Sequence, residues 1–428
     1  MLDRKFIRMN PEDVRKAIAD KRESAELDRF LELDARHLDI LRKAEDLKGE
    51  RNRASEEINR MKKSGEDCTE AITKTRELSR ETKELDAQRA ALEEELLEVH
   101  LTIPNMPHES VPRGGEEDNE LVRSWGEIPG EGEFERKPHW EIGEELGVLD
   151  IERGSKVAGS GFPVLMGGGA RLERALINFM LDLHRENGFL EVCPPLMVND
   201  DAARGTGQLP KSADQMYRTA IEGLWLIPTS EVPLTNLYAN EILDGDRLPI
   251  ALQAFTPCFR REAGAHGKDT RGLLRVHQFD KVEMVKFVEP ETSFEELESL
   301  VNEAEKVLQA LEIPYRVLTL ASGDLSFAAS KCYDLEIWSP GVKRWLEVSS
   351  VSNFTDFQAR RANIRYRPAK GEKPAFLHTL NGSGVALARL MACLLETGQR
   401  ADGRVNIPEA LRPWMGGLEF LEREEVFP

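Results

Sequence analysis

Between Phe255 and Phe287 the chain reads FTPCFRREAGAHGKDTRGLLRVHQFDKVEMVKF, two strand-like runs around a polar loop, Ala263 to Gly272, rich in Gly, Lys and Arg. Strand side chains alternate between faces, so Arg260 and Glu262 share one side and Arg261 takes the other. On the return run Arg275, His277, Phe279, Lys281 and Glu283 fall on a common face. A cation, an aromatic plate and a carboxylate on one sheet surface suit a nucleotide and an amine. Arg clamps phosphate, Phe stacks on a purine, and Glu holds an ammonium or a hydroxyl. The competing reading is a salt-bridged hairpin with a solvated face. Further along, Arg389 is the only charge in the apolar helical run from Val385 to Leu395. A buried charge needs a partner, and either a phosphate or an acid of the core would serve.

The elements that position these residues fall into two parts. A chain of 428 residues is too long for one ordinary domain, and 40% apolar residues suffice for a large core. Residues 1 to about 26 read as a lead-in with one helix, which Asn10 caps, Pro11 opens, and Glu12 and Asp13 favour at its positive end. From about Leu27 to Lys63 there is no proline, and Leu31, Leu38, Leu41, Ala54, Ile58 and Met61 mark an apolar stripe. Ser64-Gly65-Glu66-Asp67 breaks it. A second stripe runs through Ala71, Thr75, Leu78, Thr82, Leu85, Leu92, Leu96 and Val99 in steps that accumulate to heptads. The pattern predicts an antiparallel coiled-coil hairpin over about 27–100. Roughly 37 residues at about 1.5 Å each reach on the order of 55 Å. Such a hairpin is either a spacer or dimerisation device, or an arm that grips an elongated partner. Its cations, among them Lys48, Arg51, Arg60, Lys74 and Arg80, are balanced by as many acids and form no basic tract. Proline and glycine return at Ile103-Pro104-Asn105-Met106-Pro107 and continue to Pro129-Gly130-Glu131-Gly132, a connector into a second unit that alternates strand-like and helix-like stretches. The domains expected are 1–108 and 109–428.

Composition excludes several classes. A formal net charge of −19 argues against non-specific nucleic-acid binding, so an RNA partner needs a local surface and DNA is not expected. Five cysteines at 68, 193, 258, 332 and 393 have no C-x-x-C spacing, which indicates neither a disulfide framework nor a zinc site and fits a reducing cytosol. The start, MLDRKFIRMNPEDV, lacks an apolar signal core, and no run of about 18 apolar residues suggests a membrane span.

The stretch from Phe255 to Phe287 resembles motif 2 of the class II aminoacyl-tRNA synthetases in its seryl-specific form. RLERALINFMLDLHRENGFLEVCPP (171–195) resembles motif 1, a long helix and a strand ending in proline at the dimer interface. Thr229-Ser230-Glu231 in IPTSEVPLTN resembles the serine-pocket signature. HTLNGSGVALARLMACLLE (378–396) resembles motif 3, a strand, a glycine turn and a helix, and WLEVSSVSNFTDFQARR resembles a further seryl-type block. These blocks occur in family order, and the likeness covers the whole chain, arm included.

The resemblance implies an α+β fold, an antiparallel sheet flanked by helices, with an N-terminal coiled-coil arm. It implies a homodimeric bacterial-type enzyme that activates serine with ATP and loads serine tRNA, with selenocysteine tRNA a second candidate. Arg260 would bridge the α-phosphate and the serine carboxylate. Arg261, Glu262, Arg275, Val276, Phe279, Glu347, Val348, Ser349, Ser350 and Arg389 would line the ATP site. In that site Glu262 meets the adenine amino group, Phe279 stacks on the ring, and Arg275 and Arg389 take the γ-phosphate end. Glu347 and Ser350 would hold Mg²⁺. Thr229, Ser230, Glu231, Glu283 and Ser383 would surround the serine. Arg261, Val348, Val351 and Ala388 depart from the residues common there, and none of the four removes a polar functional group. An inactive scaffold on the same fold would have lost Arg260, Glu283, Glu347 or Arg389. A ligase that loads carrier proteins would lack the arm, and no cysteine cluster matches the zinc-dependent archaeal form.

Overall fold

The computed structural model describes residues 1–128, 134–263 and 271–423. Most of the polar loop after Ala263 and the Pro129–Gly132 part of the connector lie outside them. The chain divides into two compact units, Met1–Pro104 and Asn105–Pro428.

The first unit is helical. α1 (Arg4–Met9) is capped by Asp3, whose carboxylate accepts from the Lys5 and Phe6 amides. α2 (Pro11–Asp20) opens on proline as expected, but Asn10 does not cap it. The Asn10 side chain donates instead to the Phe6 carbonyl at 3.0 Å, closing α1, a helix that periodicity had not separated from α2. α3 (Leu27–Ser64) and α4 (Thr69–His100) pack as the antiparallel hairpin. Between them Gly65 adopts φ 76°, and its amide bonds the Met61 carbonyl, a left-handed cap that favours glycine. The seam buries Phe30, Ala44 and Ile58 at multiples of seven on α3, and Leu78, Thr82, Leu92 and Leu96 on α4. Arg29–Glu95 and Lys48–Asp86 (3.0 Å) pair across it.

In the second unit the largest sheet among the described residues has eight strands. They are β1 (Glu120–Trp125), β2 (Leu190–Glu191), β3 (Ile250–Phe259), β4 (Gln278–Val288), β5 (Tyr315–Thr319), β6 (Lys331–Ser339), β7 (Arg344–Asn353) and β8 (His378–Ala386). Their order is β1-β5-β6-β7-β8-β4-β3-β2, antiparallel throughout except for the parallel β3·β2 pair. Helices α5 (Gly167–Glu186), α6 (Ser293–Ala310) and α7 (Leu387–Thr397) cover one face. Leu176, Met180, Leu300, Ala304, Leu390 and Met391 from these helices meet Val282, Met284, Leu335 and Val351 from the strands. Each Val, Leu or Met among them contributes about 1.5–3 kcal/mol by leaving water. Period-two alternation on β4 sends Val282 and Met284 into this core and leaves Phe279, Lys281 and Glu283 on the other face.

Two irregularities matter. The β6·β7 ladder pairs Leu335 with Ser349 and Glu336 with Glu347, so Val348 is an extra residue. The β8·β4 ladder pairs Ser383 with Glu283 and Val385 with Val282, so Gly384 is another. The glycines expected at a turn before α7 therefore lie inside β8. A Cβ at Gly384 would sit 2.7 Å from the His184 ring, so the close approach of α5 requires glycine there.

Candidate active site

On the open face of β3, β4, β7 and β8 lies a cavity of about 320 Å³. Its deepest end is ionic. Glu283 is 1% exposed and forms an ion pair with Lys281. Glu283 also accepts from Asn381 Nδ2 (3.2 Å) and Ser383 Oγ (3.4 Å). Lys281 Nζ donates to Thr229 Oγ1 at 2.8 Å. Glu231, at the start of the short helix Glu231–Asn236, accepts from Gln358 Nε2 at 2.6 Å. Burial, and then the charge of Glu283, push the Glu231 carboxyl up to about 7 against the pull of Gln358, Lys281 and Arg260. Two buried carboxylates here face one lysine and one arginine, and hydroxyls stand between them. The arrangement suits a small ligand carrying an ammonium and a hydroxyl.

The middle of the cavity is a cation over a ring. Arg260 lies just past β3, its amide bonded to the His277 carbonyl at 2.9 Å and its Nε to the Pro228 carbonyl at 3.3 Å. Its guanidinium sits 5.1 Å from the Phe279 ring centre. Glu262 follows with φ 47° and pairs with Arg275 at 3.6 Å. Val276 completes this wall.

At the far end Arg389 Nη1 donates to the Glu347 carbonyl (2.6 Å) and to Glu347 Oε2 (3.1 Å), while its Nε meets the Leu274 carbonyl at 3.2 Å. Residues three apart on a regular strand point to opposite faces. The extra Val348 puts Glu347 and Ser350 both on the cavity wall, with Val348 itself. Asp334 pairs with Ser350 across the ladder, and burial, followed by the Glu347 charge, pushes its carboxyl well above the usual range. Surplus negative charge and hard oxygens at Glu347 and Ser350 fit Mg²⁺, which takes few protein ligands and keeps its waters. Among the described residues no group of three or more His, Cys, Asp or Glu forms a ready-made metal cage.

Thirteen of the expected site residues therefore wall one cavity: Thr229, Glu231, Arg260, Glu262, Arg275, Val276, Phe279, Glu283, Glu347, Val348, Ser350, Ser383 and Arg389. Three do not. Arg261 turns to the Asp214 carbonyl (3.1 Å). Ser230 is buried and accepts from Thr256 Oγ1 (3.0 Å). Ser349 donates to the Ser383 carbonyl (2.6 Å) behind the wall, where it holds the strand that presents Ser383. β4 begins only at Gln278, so Arg275 reaches the cavity from the turn before the strand. His277 turns away to Tyr217 Oη (2.7 Å) and stacks on Phe162. Sequence reasoning gave no role to Lys281, Asn381 or Gln358. Lys281 had a signal, its place two residues from Glu283 on the same face. Gln358 lies inside the WLEVSSVSNFTDFQARR block, but its contact with Glu231, 127 residues away, is set by the fold.

The seryl-tRNA synthetase N-terminal domain model matches residues 1–107, and the class II tRNA synthetase core domain (G, H, P, S and T) matches 217–398. The serine–tRNA ligase of Pelotomaculum thermopropionicum is 56% identical over 420 residues, covering 98% of this chain and 99% of that one. The chain belongs to the seryl-tRNA synthetase family. The solved seryl-tRNA synthetase of Pyrococcus horikoshii, complexed with ATP, superposes with a TM-score of 0.92 at 39% identity over 99% of this chain and 100% of that one. The cytoplasmic serine–tRNA ligase of Naegleria fowleri, in complex with AMP, gives 0.87 at 31% identity over 99% of both chains. The open-faced antiparallel sheet is thus the class II synthetase fold, and the helical hairpin belongs to the seryl-type N-terminal domain. Among the described residues no helix is long and apolar enough to cross a membrane.

Proposed function

We infer that this protein activates serine with ATP, releasing pyrophosphate, and transfers the seryl group to the 3′ end of serine tRNA. The observation that carries this reading is the closed ionic end of the cavity, where Glu231, Glu283, Lys281, Thr229 and Ser383 converge. A site whose buried polar groups require a substrate hydroxyl discriminates strongly against an amino acid that lacks one. Glu231 and Thr229 take the ammonium, and Glu283 with Ser383 takes the hydroxyl.

Arg260 stands between this end and the nucleotide. It orients the serine carboxylate toward the α-phosphorus and stabilises the negative charge that builds there, with no proton transfer required. Phe279 offers its face to adenine and Glu262 accepts from the exocyclic amine. Arg275 and Arg389 hold the outer phosphates, exchanging their contacts with Glu262 and Glu347 for phosphate oxygens. Glu347 and Ser350 would hold Mg²⁺, which neutralises phosphate charge when bound. The hairpin α3–α4 grips the tRNA backbone by shape. Serine tRNA is the substrate by this reading, and selenocysteine tRNA is a second one to assay. A homodimer through residues 171–195 and a cytosolic location complete the proposal. The test is ATP–pyrophosphate exchange across a panel of amino acids. Exchange that depends on serine, with alanine and threonine near background, is expected. Exchange stimulated equally by several amino acids would refute the pocket assignment.

A further inference from the structure

His139 lies outside the cavity and belongs to none of the motifs above, yet it is fully buried at the cavity's nucleotide end. Its Nδ1 is 2.8 Å from Glu396 Oε1, and its own backbone amide donates to the same oxygen at 3.0 Å. Its Nε2 is 2.9 Å from the backbone nitrogen of Leu273. An amide N–H can only donate, so Nε2 is the acceptor and carries no proton. The ring's proton is therefore on Nδ1 and is donated to Glu396. The second Glu396 oxygen accepts from Ser339 Oγ and from the Gly341 amide at 2.9 Å. Burial raises the Glu396 carboxyl, but the hydrogen bonds of His139 and Ser339 outweigh it and hold the group below its ordinary range, ionised.

The two ends of this chain of bonds are informative. Glu396 and Arg389 lie seven residues apart on α7, and Arg389 Nε also grips the Leu274 carbonyl at 3.2 Å. Residues 273 and 274 are thus fastened to α7 at two points, one of them through His139. The next two residues, Arg275 and Val276, wall the cavity. Gly272 has φ 68°, and a Cβ there would fall 2.2 Å from His139 Nε2, so the chain runs directly against the ring.

We propose that His139, oriented by Glu396, is a positioning residue that sets the 272–276 segment against α7 and so fixes the spacing of Arg275 and Arg389 around the triphosphate. The proposal rests on the reading that this end of the cavity binds ATP. A displacement of about 1 Å between charged groups and a reacting ligand can cost two orders of magnitude. Among the described residues the serine end, built from Thr229, Glu231 and Glu283, shares no bond with this network.

The full-length protein is compared with His139→Phe, His139→Gln and Glu396→Gln. ATP and serine affinities are measured separately by calorimetry, the KM values by exchange, and folding by near-ultraviolet circular dichroism. His139→Phe should weaken ATP binding by about tenfold or more while serine affinity stays within about twofold. His139→Gln, whose amide oxygen still accepts from Leu273, should recover most of the loss. Equal weakening of both substrates, or unchanged ATP affinity in a folded His139→Phe protein, would overturn the proposal. Should His139→Phe not fold, Glu396→Gln decides: a selective loss of ATP affinity supports the strut, and wild-type affinity sinks it. Wild-type protein without serine-dependent exchange would instead defeat the functional reading itself.

Discussion

Glu231→Gln should make the protein more stable at neutral pH, even though it removes a residue of the serine site. The wild-type carboxyl is buried beside Glu283 and titrates at about 7 instead of the ordinary 4.5. The folded state therefore binds this proton more tightly than the unfolded state does. Stability from this group is fully present below about 4.5, falls as pH rises, and is lost above about 7. One proton is worth about 1.4 kcal/mol per pH unit, so the swing across this interval is roughly 3 kcal/mol. Glutamine keeps the shape and the oxygen that accepts from Gln358, and it does not titrate. The difference in unfolding free energy, variant minus wild type, should grow by roughly 2 to 3 kcal/mol between pH 5 and pH 8. Urea unfolding without ligands, followed by tryptophan fluorescence, measures it directly. The tryptophans at 125, 140, 225, 338, 345 and 414 all lie in the second unit, so the signal excludes melting of the hairpin. Parallel pH profiles for the two proteins would refute the reasoning, because they would mean that Glu231 is charged without penalty in the fold.

Arg260→Ala should reduce serine-dependent exchange by about a hundredfold or more with the near-ultraviolet spectrum unchanged, since its guanidinium answers charge that builds in the transition state; near-normal exchange would remove its assigned role. Glu283→Ala should raise the KM for serine by about tenfold or more and leave that for ATP little changed. A selective loss of ATP binding would move Glu283 to the nucleotide. Replacing residues 31–96 by a short Gly/Ser linker should leave exchange within about twofold of wild type. The same change should lower tRNA charging by about a hundredfold or more, because the tethering contact is gone. Side-by-side rates decide: equal loss of both would make the hairpin structural.

The hairpin was legible because its signal is local: heptads on both helices and one glycine between them. The two lead-in helices were read as one because Asn10 suits the start of a helix as well as its end, and here its side-chain amide closes α1 on the Phe6 carbonyl instead of its oxygen capping α2. Alternation placed Phe279, Lys281 and Glu283 correctly, since β4 is regular there. It failed for His277, because bonds to Tyr217 and Gly161 turn the chain just before the strand begins. The bulges at Val348 and Gly384 are likewise invisible to a period-two reading, yet they decide which side chains reach the cavity. Arg389 illustrates a subtler limit. The sequence left open whether its partner was a phosphate or an acid, and the structure pairs it with Glu347, an acid of the cavity wall.

Gly384 gives the cavity a sensitivity to chain length that point substitutions do not reveal. Up to Ser383 the β8 ladder is in one register with β4, and from Val385 onward it is in the next. α7 starts at Leu387, three residues past the bulge, so the direction in which the chain enters the helix is set by the local bend. Losing Gly384 would keep Ser383 opposite Glu283 and Val385 opposite Val282 but remove the bend and added twist of the bulge, so Arg389 and Glu396 would meet the phosphate end at a different angle. The amino-acid end would survive and the phosphate end would be misaligned. Insertions and deletions should therefore be tolerated in the segments that border the sheet and excluded between Ser383 and Arg389, where one residue more or less desynchronises the two halves of the pocket.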